Sequence, residues 1–386
     1  MKPGQFIGRR RVFVWGLVAF TIGVMLASLA PNVGILILAR ALQGVGASVI
    51  VPTSLALLLE AYPKPDHKRM ISIWAAAGSL AAALGPVLGG LLADLDWRLV
   101  FALKIPLALV ALFAARALPT PPRKASPLPD LVGAACLAVT IASFITVLTM
   151  SSEGKPDQLR LWVTAALGIS TFGLFLYRSM RHPDPVVDLR LFKTPSFSFA
   201  AVGMAAFYVG FSMMLLACAL WATNVWEWSS ALTGICFILG PGTAVVTSLI
   251  AGRTNLKAEW LSLGGGLLFM VAGLIWALSL TTENSSPVAF LAGFILTGAA
   301  AGIAQTGFLS GGAGALPEED YASGTGIINT GRQIGAAVGV ALLVAFVGSG
   351  DQAVSFGPVW VTISISGATA ALAILPAITK LSSRTS

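Results

Sequence analysis

The sequence predicts an all-α integral membrane protein, and two observations support that prediction. The first is composition: 56% of the 386 residues are apolar and only 10% are charged, which leaves too few polar side chains to cover a water-facing globule. The second is a series of twelve apolar runs, each near the length of about 20 residues that an α-helix needs to cross a bilayer. The runs cover residues 12–30, 33–59, 70–93, 99–117, 131–150, 161–178, 196–222, 230–251, 260–280, 287–314, 322–348 and 357–379.

Basic residues predict the orientation of these spans. Of the 24 lysines and arginines, 18 fall in segments that are cytoplasmic if the N-terminus is inside, whereas Arg98, Lys155 and Arg160 fall in the opposite loops. Because cytoplasmic loops are enriched in Lys and Arg, we expect a multi-pass protein of the cell membrane with both termini in the cytoplasm. We expect no nucleic-acid partner, because no basic cluster with interleaved aromatic residues lies outside the short loops.

The sequence shows no pattern for catalysis or metal binding. Cys136, Cys218 and Cys236 lie inside apolar runs, and His67 and His182 lie in polar loops, without metal-ligand spacing. No nucleophile has a base beside it, so we expect no enzyme activity, no metal and no cofactor. The basic start and the small residues "ASLA" resemble a secretory signal, but eleven more spans follow, so we expect no cleavage there.

The second span, which contains "LILARALQGVGASVIVP", places a charge in an apolar helix. Arg40 lies roughly 10 Å inside this span at 1.5 Å per residue. Five polar or small residues follow i, i+3, i+4, i+7 and i+8 spacing and therefore share one face of the helix. They are Arg40, Gln43, Gly44, Ala47 and Ser48. A mid-bilayer arginine costs several kcal/mol and normally faces a cavity or a partner. The alternative is an arginine that only ties helices together through backbone carbonyls.

The third span carries small residues at four-residue spacing. Ala81, Gly85 and Gly89 form a stripe along which a neighbouring helix can approach closely. Pro86 removes a helix hydrogen bond and favours a kink. The segment therefore indicates a closely packed helix that can bend.

The eleventh span repeats this theme with the stripe Gly331, Gly335 and Gly339. Beside the stripe, a polar group follows i, i+3 and i+4 spacing: Asn329, Arg332 and Gln333. For Arg332 two interpretations stay open, a cavity residue or one that snorkels to the cytoplasmic end. We expect Lys104, near the outer end of the fourth span, to snorkel.

Together these segments resemble the major facilitator transporters. "LARALQGVGAS" resembles the arginine motif of their fourth helix, "LGPVLGG" the antiporter signature of their fifth, and "GRRR" at residues 8–11 the end of the basic loop between their second and third. "WRLVFALKIP" is similar to the opening of their sixth helix, with Lys104 where an asparagine is common. "SGTGIINTGRQIGAAVGVALL" is similar to the penultimate helix of the 14-span drug:proton antiporter branch. Gln5 and Ala81 depart from the aspartate and glycine usual in the family.

The resemblance implies a major facilitator fold with an incomplete N-terminal bundle. Because "GRRR" would follow the family's second helix, two helices are expected before Met1, and the twelve spans plus these two match the 14-span branch. Residues 1–118 are then expected to hold four helices of the N-terminal bundle, residues 119–195 a linker region with two inserted helices, and residues 196–386 a six-helix C-terminal bundle.

The resemblance also implies a function: a secondary active transporter that exports amphipathic, drug-like small molecules in exchange for protons by alternating access. The implied partners are a small-molecule substrate, protons and the lipid bilayer, and we expect a monomer. The implied transport and coupling residues are Arg40, Gln43, Gly44, Asn329, Arg332 and Gln333. The residues implied to bend the fifth helix are Gly85, Pro86, Gly89 and Gly90. Those of the implied gating loop are Gly8, Arg9, Arg10 and Arg11.

Alternatives remain at this point. All 16 acidic residues lie at span ends or in loops, whereas the family commonly keeps its proton-carrying acid in the first helix. Arginine stays protonated in proteins, so Arg40 is expected to set the local field and to pair with a carboxylate or the substrate. The chain could instead be a non-transporting or inactive truncated membrane protein or a scaffold. Trp74, Trp221 and Phe207 could stack on a substrate, although packing or interface roles are commoner.

Overall fold

The computed structural model describes residues 9–63, 77, 81, 84–118, 130–151, 157–183, 185–281, 285–317, 320–347 and 356–382. Eleven helices in these residues are long and apolar enough to cross a membrane. A shorter apolar helix, Leu84–Leu95, lies in the remaining predicted span, 70–93, most of whose first half is outside the described residues. The prediction of an all-α membrane fold with about twelve spans is confirmed.

The described α-helices lie close to the predicted spans and are numbered here in chain order. They are α1 (Arg9–Ser28), α2 (Val33–Ala61), α3 (Leu84–Leu95), α4 (Trp97–Ala102), α5 (Lys104–Ala114), α6 (Leu131–Ser151), α7 (Gln158–Arg181), α8 (Pro195–Asn224), α9 (Ser230–Cys236), α10 (Leu239–Ala251), α11 (Ala258–Ser279), α12 (Pro287–Gly314), α13 (Tyr321–Val347) and α14 (Gly357–Ser382).

Two predicted spans are each built from two helices. The span 99–117 is interrupted at Leu103, between α4 and α5, and the span 230–251 at Phe237 and Ile238, between α9 and α10. In both cases a proline follows four residues later. Pro106 stands four residues after Ala102, the last residue of α4, and Pro241 stands four residues after Phe237, the C-cap of α9. Pro106 has no amide to bond to the carbonyl of Ala102, and Pro241 has none for Phe237, so the helix is weakest at these points.

The helices form two packed units. One comprises Met1–Leu128 and Glu227–Ile238, and the other comprises Pro129–Trp226 and Leu239–Ser386. In the first, α1 lies along α2, because glycines let the backbones approach: a Cβ added to Gly23 would lie 2.7 Å from the amide nitrogen of Gln43. In the second, α8, α11, α12 and α14 enclose a core of large aromatic side chains, among them Phe197, Phe207, Phe269, Trp276, Phe290, Phe294, Phe308 and Trp360.

A buried ion pair joins one end of α6 to α7 in the second unit. The Asp130 side chain is 1% exposed and accepts hydrogen bonds from Arg178 Nε at 2.7 Å and from the Gly133 amide at 2.8 Å, while Arg178 Nη2 lies 2.6 Å from the same carboxylate oxygen. The Gly133 bond caps the first turn of α6. The Arg178 guanidinium, helped by the Gly133 amide, holds the pKa of the Asp130 carboxyl below its ordinary value.

Candidate functional site

Arg40 lies seven residues after the start of α2, which places it roughly 10 Å along the helix. Its Nη1 donates a hydrogen bond to Gln43 Oε1, as i, i+3 spacing allows. Gln43 is 4% exposed and packs on α1, whereas Arg40 and Gly44 are exposed. Among the described residues Arg40 donates to no backbone carbonyl, so this part of the chain does not support the interpretation that it only ties helices together.

The ring of Phe101, on α4, brings Arg40 close to a second cation. Arg40 Cζ lies 5.8 Å and Lys104 Nζ lies 5.4 Å from the centroid of this ring, both inside the range of about 6 Å for cation–π contacts. Lys104 stands seven residues after the start of the span Trp97–Ala114, roughly 10 Å along it. Its ammonium lies at Phe101, which is three residues nearer the start of the span than Lys104, so the side chain extends toward the outer end, the direction that snorkelling requires.

Neither of these cations has an acidic partner in the described part of the chain. The ion pairs found there join Arg98 to Asp96, Arg178 to Asp130 and Arg190 to Asp188. The same residues contain no group of three or more His, Cys, Asp or Glu side chains that could hold a metal ion. The Phe101 region is therefore a positively charged position without a built-in counter-ion among these residues.

The antiporter-like segment packs through one face of α3 onto α9 in the first unit. Pro86 and Gly90 lie on this face at four-residue spacing. A Cβ added to Gly90 would overlap the carbonyl oxygen of Ser230, and one added to Gly234 would overlap that of Pro86. The two backbones thus touch at two points one helical turn apart.

Asp94 lies on the same face of α3, one turn after Gly90, and its carboxylate binds the first turn of α9. Its Oδ1 accepts a hydrogen bond from the Ser230 amide at 3.0 Å, and its Oδ2 accepts one from the Ala231 amide at 2.9 Å. These amides belong to the first turn, which has no intrahelical acceptors. By contrast, a Cβ added to Gly85 or Gly89 meets no described atom within 4 Å, so the close approach lies at Pro86 and Gly90.

The predicted gating loop is helical from Arg9 onward, and Gly8 lies outside the described residues. Arg9, Arg10 and Arg11 form the first turn of α1. Arg10 Nε donates to the carbonyl of Ala115 at 3.2 Å, and its Nη2 donates to that of Arg116 at 2.7 Å. Carbonyls at a helix end lack intrahelical donors and attract cations, so Arg10 fastens α1 to the segment after α5.

Arg332 lies nine residues after the start of the span Ser323–Val347, roughly 14 Å along the helix. Its Cζ is 5.2 Å from the ring centroid of Tyr208 on α8, and its buried Nε has no hydrogen-bond partner among the described residues. A buried donor left unpaired costs about 1–3 kcal/mol. On the same helix Asn329 is half-buried and Gln333 is exposed. This depth favours the cavity interpretation of Arg332 over snorkelling.

The glycine stripe of α13 is a close contact with α8. A Cβ added to Gly335 would overlap the carbonyl oxygen of Ala205, and one added to Gly339 would overlap that of Val209. Ser212 Oγ also donates a hydrogen bond to the carbonyl of Ala336 at 2.8 Å. The helix approach that the four-residue spacing predicts is present here.

Sequence reasoning missed Phe101 and Tyr208, the aromatic neighbours of the arginines. Phe101 stands three residues before Lys104, a spacing that could have indicated a shared helix face. Tyr208 gave no such signal, because its contact with Arg332 joins distant segments. Phe207 and Trp221 are 1% and 2% exposed among other aromatic side chains, which favours packing over substrate stacking, and Trp74 lies outside the described residues.

Comparisons with known proteins identify the family of the chain. The profile of the Major Facilitator Superfamily matches residues 4–340. Multidrug resistance protein Stp of Mycobacterium tuberculosis is 29% identical over 347 residues, which are 87% of this chain but only 63% of Stp. Drug efflux pump JefA of the same species is 32% identical over 349 residues, 88% of this chain and 68% of JefA.

Solved structures show the same fold. A peptide transporter POT crystallised with sulfate superposes with a TM-score of 0.69 at 17% identity, covering 97% of this chain and 80% of that one. At this identity the likeness concerns the fold alone. With the family match over most of the sequence and eleven candidate spans in the described residues, the chain is a multi-pass membrane protein that belongs to the Major Facilitator Superfamily, a family of transporters and not of enzymes.

Proposed function

We propose that this protein exports amphipathic, drug-like small molecules across the cell membrane in exchange for protons, by alternating access. The names of Stp and JefA, a multidrug resistance protein and a drug efflux pump, support the substrate class. The observation that carries the proposal is Arg40, a charge roughly 10 Å inside a membrane helix, which is bonded to Gln43. Charges at such depth are costly and usually mark a transport pathway.

In this proposal each unit carries its own charged position for transport. Arg40 and Gln43 orient the substrate and set the local field, and Gly44 keeps their face open, because a Cβ there would meet no described atom within 4 Å. Arg332 provides a second charged position on α13, with Asn329 and Gln333 beside it. Arginine stays protonated, so neither arginine carries the proton.

The helix-bending role belongs to the start of α3. Pro86 has no amide hydrogen, so the turn that contains it can bend without breaking a backbone bond at that residue. Gly85 and Gly89 leave room on one side of this turn, and Gly90 allows the contact with α9.

The proton carrier is a carboxylic acid outside the interior of the predicted spans. All 16 acidic residues of this sequence lie at span ends or in loops. The coupling acid therefore acts at a span end or is supplied from outside residues 1–386. We further propose that both termini are cytoplasmic. Residues 1–118 hold four helices of a truncated N-terminal bundle, residues 119–195 a linker region with two inserted helices, and residues 196–386 a six-helix C-terminal bundle.

Inside-out membrane vesicles test this function. Vesicles are prepared from cells that express the gene and from cells in which it is deleted, and an acid-inside pH gradient is imposed. We expect gradient-driven uptake of dyes from a panel of fluorescent amphipathic compounds of both charges, only in vesicles that contain the protein, and loss of uptake when nigericin collapses the gradient. Equal uptake in both preparations would favour the alternative of a non-transporting membrane protein.

A further inference from the structure

Two cationic side chains converge on one aromatic ring inside the first unit. Arg40 Cζ and Lys104 Nζ lie 5.8 Å and 5.4 Å from the Phe101 centroid. Each stands seven residues, roughly 10 Å, from the start of its span. Their charges repel each other, and in the described residues neither is neutralised by a carboxylate.

Repulsion between the two cations makes this arrangement unfavourable unless an anion joins it. Like charges this close repel each other, and water screens the half-buried Lys104 less than it would screen a surface lysine. Gln43 offers Arg40 only a neutral carbonyl oxygen. Even a single carboxylate from elsewhere in the protein would leave one positive charge in excess. The site therefore attracts a negatively charged ligand.

The three side chains differ in what they can recognise. The planar guanidinium of Arg40 can donate two parallel hydrogen bonds to a carboxylate or sulfonate. The ammonium of Lys104 supplies a point charge with rotatable donors. Phe101 presents an aromatic surface on which a flat apolar ring can stack. Together they suit a molecule with an acidic group attached to an aromatic body.

We propose that Arg40, Lys104 and Phe101 form a binding site for the acidic end of an amphipathic organic anion, so that the exported substrates are aromatic carboxylates or sulfonates. This inference rests on the proposed function and names its substrate class. The same sign of charge recurs at Arg332 in the other unit, where its buried Nε has no hydrogen-bond partner in the part of the chain that the structure describes. Lys104 is the residue that selects negatively charged ligands. Gln43 accepts a hydrogen bond from Arg40, whereas the charge of Lys104 has no such acceptor among these residues.

Equilibrium binding to the purified full chain tests the site. The probes are 1-naphthoate and the neutral 1-naphthamide, which share a ring system and differ in charge, and binding is measured by titration calorimetry in detergent. We expect saturable binding of 1-naphthoate that is at least about tenfold weaker, about 1.4 kcal/mol, in Lys104→Met, with the weak naphthamide binding unchanged. Lys104→Arg retains 1-naphthoate binding because it keeps the charge.

A matched control removes a different cation from the same unit. Arg116 also lies over an aromatic ring, with its Cζ 5.6 Å from the Phe113 centroid, but it is exposed at the end of a span. Arg116→Gln is expected to bind 1-naphthoate as the wild type does. Absence of saturable 1-naphthoate binding, equal affinity for both probes, or an unchanged affinity in Lys104→Met would each overturn the proposal.

The binding and transport measurements together distinguish failure of this inference from failure of the proposed function. The titration needs no pH gradient, so it reports the site even if the protein does not transport. Charge-selective binding without gradient-driven uptake in vesicles would refute export while supporting the anion site. Gradient-driven uptake of cationic dyes alone, without 1-naphthoate binding, would support export and refute the anion site.

Discussion

Gly90 is the residue at which the backbones of α3 and α9 meet most closely. In Gly90→Ala the new Cβ would overlap the Ser230 carbonyl oxygen and lie 2.8 Å from its carbonyl carbon, so a backbone must shift. Overpacking of this kind costs about 1–3 kcal/mol, and the better helix propensity of alanine returns up to about 1 kcal/mol. We therefore expect a net loss of up to about 2 kcal/mol in the free energy of unfolding.

The neighbouring Gly89 provides a matched control, because an added Cβ meets no described atom within 4 Å. Gly89→Ala is expected to be neutral or stabilising by up to about 1 kcal/mol. In thermal unfolding of the purified protein in detergent, the two variants should differ by several degrees, since each kcal/mol shifts Tm by about 2–4 °C in domains of about 150–250 residues. Equal melting temperatures, or a lower one for Gly89→Ala, would refute the contact between α3 and α9.

Three further predictions concern other parts of the chain. Gly335→Ala, whose Cβ would overlap the Ala205 carbonyl oxygen, should lower Tm, whereas Gly326→Ala, with no described atom within 4 Å, should not; similar Tm values would contradict the α8–α13 contact. Because the pKa of Asp130 is lowered by Arg178, its stabilising effect is present above the unfolded pKa of about 3.9 and is lost as pH falls through the folded pKa. Asp130→Asn should thus lower Tm at pH 7 by several degrees and flatten its decline in acid; a Tm profile identical to that of the wild type from pH 7 to pH 3 would argue against the ion pair. Arg40→Ala should cut dye uptake in vesicles at a near-normal membrane level, and Arg40→Lys should restore it only in part, because a planar fork of donors becomes a point charge; wild-type uptake in Arg40→Ala would indicate a packing role instead.

The positions of the helices were predictable because a span must be long and apolar to cross a bilayer. The interruptions at Leu103 and Phe237 escaped a search for apolar runs, since apolarity does not report backbone hydrogen bonding. Their cause was nevertheless in the sequence, as Pro106 and Pro241 each remove the amide that would continue the helix.

The contacts of the candidate site were harder to predict. Four-residue spacing in α3 fits both the stripe of Gly85 and Gly89 and the face of Pro86, Gly90 and Asp94, and spacing alone cannot choose between them. The partners of these faces come from distant parts of the chain, as the bond between Ser230 and Asp94 illustrates. The depth of Arg40 was readable from the sequence, whereas its approach to Phe101 depends on how α4 packs within the first unit.

Proton movement measured together with substrate movement tests the central claim most directly. Inside-out vesicles with an acid interior and a trapped pH-sensitive dye are given the compound that shows the fastest gradient-driven uptake. Exchange predicts that adding this compound raises the internal pH only in vesicles that contain the protein, and that Arg40→Ala abolishes the rise at an unchanged protein level. Uptake of the compound with no accompanying change in internal pH would contradict proton exchange.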